Sequence, residues 1–361
     1  MNKYFYRVAY TALGSRKNKA RAIKLCEFLK IPAYRVGIDI NNTCNLKCIM
    51  CYMSFLSPQR QIMSLELFIK IAEQIFPKTK FLDLSCSFEP FMVNNFIEYA
   101  RHARKHCPGE ISLCTNGLLM NKDIITKIVK EKLLDEINIS CDGLTEKTYN
   151  SIRINGDFKK LLMVLQTIKE ERDRLNTKIP VIRLNYTMLK RNLEELEGIY
   201  DFTKYFNINC LQLRHAKLTN PFSSLFDESL YFHQNLSDKI LTGVIKKFSK
   251  DSTKTLIHPP LFSSQQEFIS RKNTCAYPWF NFIINSKGNL NMCNIGVIGD
   301  FKTHTLNQIL ASKFVQQVKY DLLQGKTNKM CDQCYTVSDL ESVQDETTFI
   351  RKDLEISDNI N

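Results

Sequence analysis

The chain has 361 residues, of which 44% are hydrophobic and 24% are charged, as in a folded protein with one main domain and a smaller one. The N-terminal segment lacks the apolar core of a secretory signal, and no apolar run is long enough to cross a membrane, so we expect a cytoplasmic protein without a membrane partner. The net charge of +13 fits a basic solvated surface, an anionic substrate or nucleic acid. Because no nucleic-acid-binding motif accompanies the charge, we do not expect a nucleic-acid partner.

Six apolar runs of strand length alternate with segments whose apolar residues recur at helical spacing. Strands that alternate with helices form right-handed βαβ units, which place the strands in parallel. Six such units predict an α/β fold with a partial (β/α)6 barrel, similar to a TIM barrel. The predicted strands are 35–41, 81–87, 110–117, 136–142, 181–187 and 209–215, and the predicted helices between and after them are 64–76, 93–107, 121–134, 157–175 and 192–206.

A smaller region follows the predicted barrel. Its sequence predicts a bridging helix, then a β-hairpin with a Ser-Lys-Gly-Asn turn, then another helix. The predicted organisation is an N-terminal helical extension (1–34), the barrel (35–220), a bridging loop and helix (221–274), a small β-hairpin and helix domain (275–335) and a polar tail (336–361).

Polar residues alternate with apolar ones along the predicted strands. Ile38 and Ile40 flank Asp39, whereas parallel strands covered on both faces are usually continuous apolar runs. In a barrel the apolar side packs on the helices and the polar side lines the lumen, which predicts a cavity for a large polar ligand. An antiparallel sheet with one solvated face is the alternative. The predicted lumen residues are Asp39, Asn41, Ser85, Ser87, Asn138, Ser140, Asp142, Arg183, Asn185, Gln212 and Arg214.

Three cysteines, Cys44, Cys48 and Cys51, follow the first predicted strand at CxxxCxxC spacing. Clustered cysteines in an intracellular chain of this size indicate metal ligands more often than disulfides. Three thiolates can hold three corners of a [4Fe-4S] cluster, and the missing fourth ligand leaves one iron open to a reacting molecule. Scattered structural thiols would rarely have this spacing in this place.

This cysteine motif, placed after a first barrel strand, resembles the signature of radical S-adenosylmethionine (radical SAM) enzymes, and the resemblance covers about residues 35–335. It implies that S-adenosylmethionine chelates the open iron. An electron from the cluster, supplied by an external donor such as flavodoxin or ferredoxin, then cleaves the cofactor into methionine and a 5′-deoxyadenosyl radical. The radical abstracts a hydrogen atom from the substrate.

The resemblance also implies three cofactor contacts around the cluster. Glu89 and Pro90 of SFEPFM match a Gly-Gly-Glu-Pro motif, which places the Glu89 carboxylate on the amino group of the cofactor. Phe88 replaces a glycine of that motif and is expected to contact the cofactor through its backbone. Met50 precedes the third cysteine, where the family has an aromatic residue against the adenine, so an apolar contact is implied.

Two further sequences, CTNG and SCDG, match family motifs after the third and fourth strands, although TNG and DG alone are ordinary turn sequences. The resemblance implies that Ser140 contacts the cofactor and that Thr115 faces the active site as part of the cofactor pocket. It also implies that Arg183, on the fifth strand, binds an anionic group of the substrate. An ion pair between Arg183 and a lumen acid such as Asp142 is the alternative.

The C-terminal region carries four more cysteines in a hairpin and a CxxC pair. It resembles the shortened, twitch form of the SPASM domain of radical SAM enzymes, which implies a second, auxiliary [4Fe-4S] cluster. A zinc site and a cluster with only three protein ligands are the alternatives. The implied ligands are Cys275, Cys293, Cys331 and Cys334.

Together these features predict a radical SAM oxidoreductase with two [4Fe-4S] clusters that oxidises or modifies a polar substrate. Only 34 residues precede the first predicted strand, too few for the peptide-recognition domain of many peptide-modifying members. A carbohydrate-type small molecule therefore ranks ahead of a ribosomal peptide. Two further classes stay open, a non-catalytic iron–sulfur redox or regulatory protein and an RNA-modifying enzyme. The acid Glu89 and the polar lumen favour an enzyme over a non-catalytic protein.

Overall fold

The computed structural model describes residues 13–55, 58–85, 87–216, 220–249, 251–258, 261–263, 275–326 and 331. All six strands predicted for the barrel are present in this part of the chain, and they pair with one another in parallel. The antiparallel alternative is therefore wrong. The strands are β1 (Tyr34–Ile38), β2 (Lys47–Cys48), β3 (Thr79–Asp83), β4 (Glu110–Thr115), β5 (Glu136–Ser140), β6 (Arg153–Ile154), β7 (Val181–Met188), β8 (Cys210–His215), β9 (Lys254–His258), β10 (Asn281–Ile284), β11 (Asn289–Met292) and β12 (Val297–Asp300).

Ten of these strands form one sheet in the order β12-β11-β10-β1-β3-β4-β5-β7-β8-β9. The eight strands from β10 to β9 are parallel, and β11 and β12 continue the sheet in antiparallel pairing. The predicted α/β partial barrel is confirmed, and it gains β9, which the sequence placed in the bridging region. The remaining two strands, β2 and β6, form a separate antiparallel pair.

Helices connect the parallel strands. Most of them begin at a side chain that accepts a backbone N–H, such as Ser64 for Leu67 N and Asp157 for Lys160 N, and each cap contributes about 1 kcal/mol. The predicted helix 306–323 is interrupted at Ser312, which caps the second half. The helices are α1 (Arg16–Phe28), α2 (Leu65–Ile75), α3 (Phe96–His106), α4 (Lys122–Lys130), α5 (Glu146–Ile152), α6 (Phe158–Arg174), α7 (Lys190–Leu193), α8 (Ile199–Tyr205), α9 (Gln234–Phe248), α10 (Leu306–Ala311) and α11 (Lys313–Leu323). None of the described helices is long and apolar enough to span a membrane.

The two faces of the barrel sheet differ as the alternation predicts. Ile137 and Ile139 of β5 are buried against the helix layer, whereas Asn138 and Ser140 between and after them are only half-buried on the other face. The same alternation runs along all eight residues of β7. Burying an isoleucine side chain contributes about 1.5–3 kcal/mol, so the register that turns these apolar residues to the helices is strongly favoured.

The predicted C-terminal hairpin is present as β10 and β11. Its turn is held by the Asn285 side chain, which accepts the N–H groups of Lys287 and Asn289 at 3.0 and 3.1 Å. Gly288 completes the turn with a φ of +87°, a conformation that favours glycine. Because β10 pairs in parallel with β1, the hairpin extends the barrel sheet itself. The domain limits inferred from the sequence stay predictions.

Candidate active site at the carboxyl ends of the strands

The three-cysteine loop begins a few residues after β1. Within it, the Cys51 N–H donates to the Cys48 carbonyl at 3.1 Å, so these two cysteines lie on one tight turn. Cys44 is exposed, and its Sγ accepts from the Leu46 N–H at 3.4 Å and from the Asn116 side-chain amide at 3.9 Å. Donors directed at a sulfur atom stabilise its thiolate form, which is the form that binds iron.

Cys48 lies next to a buried ion pair formed by Arg153 and Asp142. Its Sγ is 3.7 Å from one terminal nitrogen of Arg153, whose other terminal nitrogen is 2.7 Å from the Asp142 carboxylate. Burial raises the pKa of the Cys48 thiol to about 11, and the Arg153 charge opposes this rise. Binding of a metal at Cys48 therefore requires loss of a proton, which the guanidinium makes easier.

The donor set fits an iron–sulfur cluster better than a single metal ion. Among the described residues, no three His, Cys, Asp or Glu side chains are close enough together to hold one ion. A cubane cluster is larger, and each of its irons takes its own thiolate. Two buried donors near Cys48, the Tyr149 hydroxyl and Arg153 Nε, have no acceptor among the residues that the structure describes. Cluster sulfur atoms are acceptors of the kind that these donors lack.

Glu89 is the buried acid of the site, with 2% of its surface exposed. Its carboxylate accepts the Thr115 hydroxyl at 2.6 Å, the Asn116 N–H at 2.8 Å and the Phe91 N–H at 3.4 Å. Burial raises the pKa of Glu89 to about 7, against the opposing effect of these hydrogen bonds. The carboxylate is thus fixed in position and ready to ionise when a cation arrives.

The other predicted cofactor residues have different surroundings. Thr115 is buried and donates to Glu89, so its described role is to orient that carboxylate. Phe88 offers its backbone carbonyl to Ser85 at 2.5 Å, and Met50 packs on a small apolar cluster that includes Ile152. Ser140 is half-buried on the lumen face of β5. Direct contact of these four residues with the cofactor stays a prediction.

Arg183 lies towards the amino ends of the strands, in the first half of β7. Its guanidinium pairs with Glu136, the first residue of β5, at 2.9 Å. The ion pair that the sequence left open with Asp142 is therefore not formed, since Asp142 is paired with Arg153. A carboxylate already neutralises Arg183 in this structure, and its role in substrate binding stays a prediction.

Asn116 is a site residue that the sequence reasoning missed, although it lies within the CTNG motif. Its backbone N–H binds Glu89, and its side-chain amide reaches both Cys44 Sγ and the Asn45 side chain, the latter at 2.8 Å. Asn116, which directly follows β4, thus connects the buried Glu89 carboxylate to the cysteine loop. The motif was the available signal, but only the folded chain shows this double contact.

The C-terminal cysteines lie on the extension of the sheet. Cys275 precedes β10, and its carbonyl accepts the Arg16 Nε–H at 2.7 Å, which ties α1 to this region. Cys293 follows β11 with a φ of +41°, and Cys331 packs against the main core. Cys334, the fourth predicted ligand, lies outside the described residues, so the completeness of this set stays a prediction.

Comparison with known proteins assigns both regions. Residues 38–203 match the radical SAM superfamily, and residues 275–335 match the SPASM iron–sulfur cluster-binding domain. A probable GTP 3′,8-cyclase of Metallosphaera sedula is 26% identical over 57% of this chain and 62% of its own length. An Fe-coproporphyrin III synthase of Methanosarcina barkeri is 24% identical over 61% of this chain and 53% of its own length. The chain thus spans little more than half of the length of these curated relatives.

Solved structures share the fold over most of the chain. Streptococcus suis SuiB bound to S-adenosylmethionine has a TM-score of 0.63 at 14% identity, covering 84% of this chain and 72% of SuiB. Native anSMEcpe with bound AdoMet has a TM-score of 0.58 at 16% identity, covering 84% of this chain and 88% of the other. The two domain matches confirm iron–sulfur clusters and S-adenosylmethionine as the cofactors. The chain therefore carries a radical SAM domain at residues 38–203 and a SPASM iron–sulfur cluster-binding domain at residues 275–335.

Proposed function

We propose that this protein is an enzyme that reductively cleaves S-adenosylmethionine and abstracts a hydrogen atom from a polar substrate. The observation that carries the proposal is the connection between the buried Glu89 carboxylate and the Cys44 sulfur through Asn116. When bound, the cluster and S-adenosylmethionine supply a one-electron cleavage that yields methionine and a hydrogen-abstracting 5′-deoxyadenosyl radical. Side chains of this protein would bind the cluster, the cofactor and the substrate.

Cys44, Cys48 and Cys51 would hold the cluster through three irons and leave the fourth open. Glu89 would accept the N–H groups of the S-adenosylmethionine amine, since three fixed donors hold its carboxylate in one position. Hydrogen bonds to the carboxylate favour the ionised form of Glu89, so cofactor binding releases a proton from the carboxyl group. Met50, Phe88 and Ser140 would complete the cofactor pocket.

The substrate is proposed to be a peptide, the class that the sequence ranked second. Solved structures that share this fold over 84% of the chain include SuiB bound to the precursor peptide SuiA and anSMEcpe with a bound peptide. The half-buried polar residues on the lumen face, such as Asn138 and Asn185, carry side-chain oxygens that can accept peptide N–H groups, while their own amide nitrogens bind Leu113 and Cys114. An external flavodoxin or ferredoxin would supply the electron.

The test of the activity uses the full chain, reconstituted anaerobically with iron and sulfide and reduced with dithionite. We expect formation of methionine and 5′-deoxyadenosine in equal amounts. Bound iron and bound S-adenosylmethionine without any cleavage would contradict the activity. The matched control replaces Cys107, a buried thiol outside both cysteine groups, with Ala, and it should cleave the cofactor at the wild-type rate.

The test of the substrate class follows the abstracted hydrogen. Incubation with a fully deuterated peptide mixture should transfer deuterium into 5′-deoxyadenosine, which mass spectrometry detects. A deuterated monosaccharide mixture and deuterated GTP serve as comparisons. Transfer from sugars or GTP but not from peptides would contradict the peptide class and leave the cleavage activity standing.

A further inference from the structure

The backbone places Arg153 directly opposite Cys48. The two residues are partners in the short antiparallel pair of β2 and β6, next to the pair formed by Lys47 and Ile154. The Ile49 N–H also donates to the Ile152 carbonyl at 3.0 Å and extends this pairing. Because two strands fix the separation, the Arg153 side chain can reach the Cys48 sulfur without any movement of the loop.

Asp142 fixes the direction of the guanidinium. The carboxylate is fully buried, lies 2.7 Å from Arg153 and accepts the Thr187 N–H at 2.7 Å with its other oxygen. The Asp142 carbonyl accepts the side-chain amide of the fully buried Asn192 at 2.9 Å. The cation is therefore held between a carboxylate on one side and the Cys48 sulfur on the other.

Stability alone does not explain this arrangement. A buried ion pair contributes little net stability, since its desolvation penalty offsets its attraction, and apolar side chains of similar volume often serve as well. A fixed cation beside a sulfur ligand does have an electrostatic consequence. Reduction adds one negative charge to a cluster, and a nearby positive charge in a weakly polar interior favours that reduced state.

We propose that Arg153, oriented by Asp142, sets the reduction potential of the cluster held by Cys44, Cys48 and Cys51. Arg153 is thus a positioning residue that acts through Cys48 and makes the cluster easier to reduce by an external low-potential one-electron donor. Asp142 has two effects, since it orients the cation and its own negative charge partly offsets it. The inference rests on the proposed function, because it requires the cluster.

The test is a redox titration of the reconstituted full chain, followed by electron paramagnetic resonance. The signal that changes when S-adenosylmethionine is added identifies the cluster at the three-cysteine loop. Arg153→Gln should make reduction about tenfold less favourable, which for one electron is about 59 mV towards more negative potential. Arg153→Lys keeps the charge, and its reduction equilibrium constant should stay within about threefold of the wild-type value.

Asp142→Asn should shift the potential in the opposite direction, since it removes the offsetting negative charge. This opposite sign separates electrostatic tuning from a merely structural role, in which both variants would damage the site alike. Arg153→Gln leaves Asp142 as a lone buried charge and could fail to fold for that reason. In that case the comparison of Asp142→Asn with the double variant Asp142→Asn/Arg153→Gln measures the effect of the guanidinium alone. The double variant should then be about tenfold harder to reduce than the single one.

Arg104→Gln is the matched control. It removes the same charge from an ion pair of the same 2.7 Å separation with Asp135, which directly precedes β5 at the amino ends of the strands. Its reduction equilibrium constant should stay within about twofold of the wild-type value.

Equal potentials for the wild type, Arg153→Gln and Asp142→Asn, or shifts of the same sign in both variants, would overturn the proposal. So would a loss of S-adenosylmethionine affinity in Arg153→Gln at an unchanged potential. Failure of the wild type to form 5′-deoxyadenosine would instead contradict the proposed function.

Discussion

The two cysteine regions of this protein are built in different ways. In the barrel, three thiols lie within eight residues of one loop, and Asn116, directly after β4, and Arg153, on β6, direct donors at the sulfur atoms of Cys44 and Cys48. In the C-terminal region, Cys275, Cys293 and Cys331 come from three separate segments, of which the hairpin extends the barrel sheet and the segment of Cys275 is bound by Arg16 of α1. The first region carries its three predicted ligands on one short loop, whereas the second region draws its predicted ligands from segments that are far apart in the sequence.

The largest effect is expected from removal of the loop thiols. Replacement of Cys44, Cys48 and Cys51 with Ala should abolish cleavage of S-adenosylmethionine, because no ligand remains for the cluster with the open iron. Anaerobically measured iron should fall from about eight to about four atoms per chain, with the C-terminal cluster retained. The variant should still fold, since Leu46, the loop residue that lies in the main core, is retained. Residual 5′-deoxyadenosine formation in this variant would show that the cluster lies elsewhere.

The next effect concerns Glu89. Glu89→Gln should weaken binding of S-adenosylmethionine by about 1.5–3 kcal/mol, the range for a hydrogen bond to a charged group, or roughly 10- to 150-fold. Isothermal titration on the reconstituted protein measures this change. Glu131→Gln, which alters a surface carboxylate bonded to Arg101, should leave the affinity unchanged. An unaltered affinity in Glu89→Gln would remove this residue from the cofactor site.

A smaller effect is expected from pH. Because burial raises the pKa of Glu89 to about 7 and the carboxyl group must ionise to accept the N–H groups of the cofactor's amine, the affinity for S-adenosylmethionine should fall about tenfold from pH 8 to pH 6. For the cofactor-free protein, folding stability changes with pH in the opposite direction. A raised carboxyl pKa means that the folded state holds the proton more tightly, so this contribution to stability is lost as the pH rises from about 4.5 to about 7. The Glu89→Gln variant should show neither slope, and a slope that survives the substitution would assign the titration to another group.

The smallest effect on cleavage is expected from the second region. Replacement of Cys275 and Cys293 with Ala should halve the iron content and leave cofactor cleavage within about twofold of the wild type, while turnover of the substrate is lost. Elemental analysis and 5′-deoxyadenosine formation, measured on the same sample, separate these outcomes. Zinc in place of iron in anaerobically purified protein would show that this region does not transfer electrons. Loss of cleavage together with the iron would show that the two regions fold as one unit.

The same difference explains what could be predicted from the sequence. The cysteine loop was predicted from its local spacing, Glu89 from the resemblance of a short motif, and the strands from period-two alternation, which is a property of a few neighbouring residues. Arg153 and Asn116 were not found as partners of Cys48 and Cys44, since contacts between residues 105 and 72 positions apart depend on strand pairing. Strand β9 was not predicted because its five residues, KTLIH, contain only two strongly apolar side chains.

The pairing of β10 with β1 has a consequence for how the chain folds. The two strands are separated by about 250 residues, so one side of β1 stays without its partner during synthesis for roughly ten to fifty seconds at ordinary translation rates. During that time the backbone groups of β1 that later bind β10 are open to wrong pairing, and non-local pairing of this kind is slow to form. The cysteine loop is attached to this strand. Its final placement therefore waits for the C-terminal hairpin, and loading of iron is expected to follow the completion of the sheet rather than precede it.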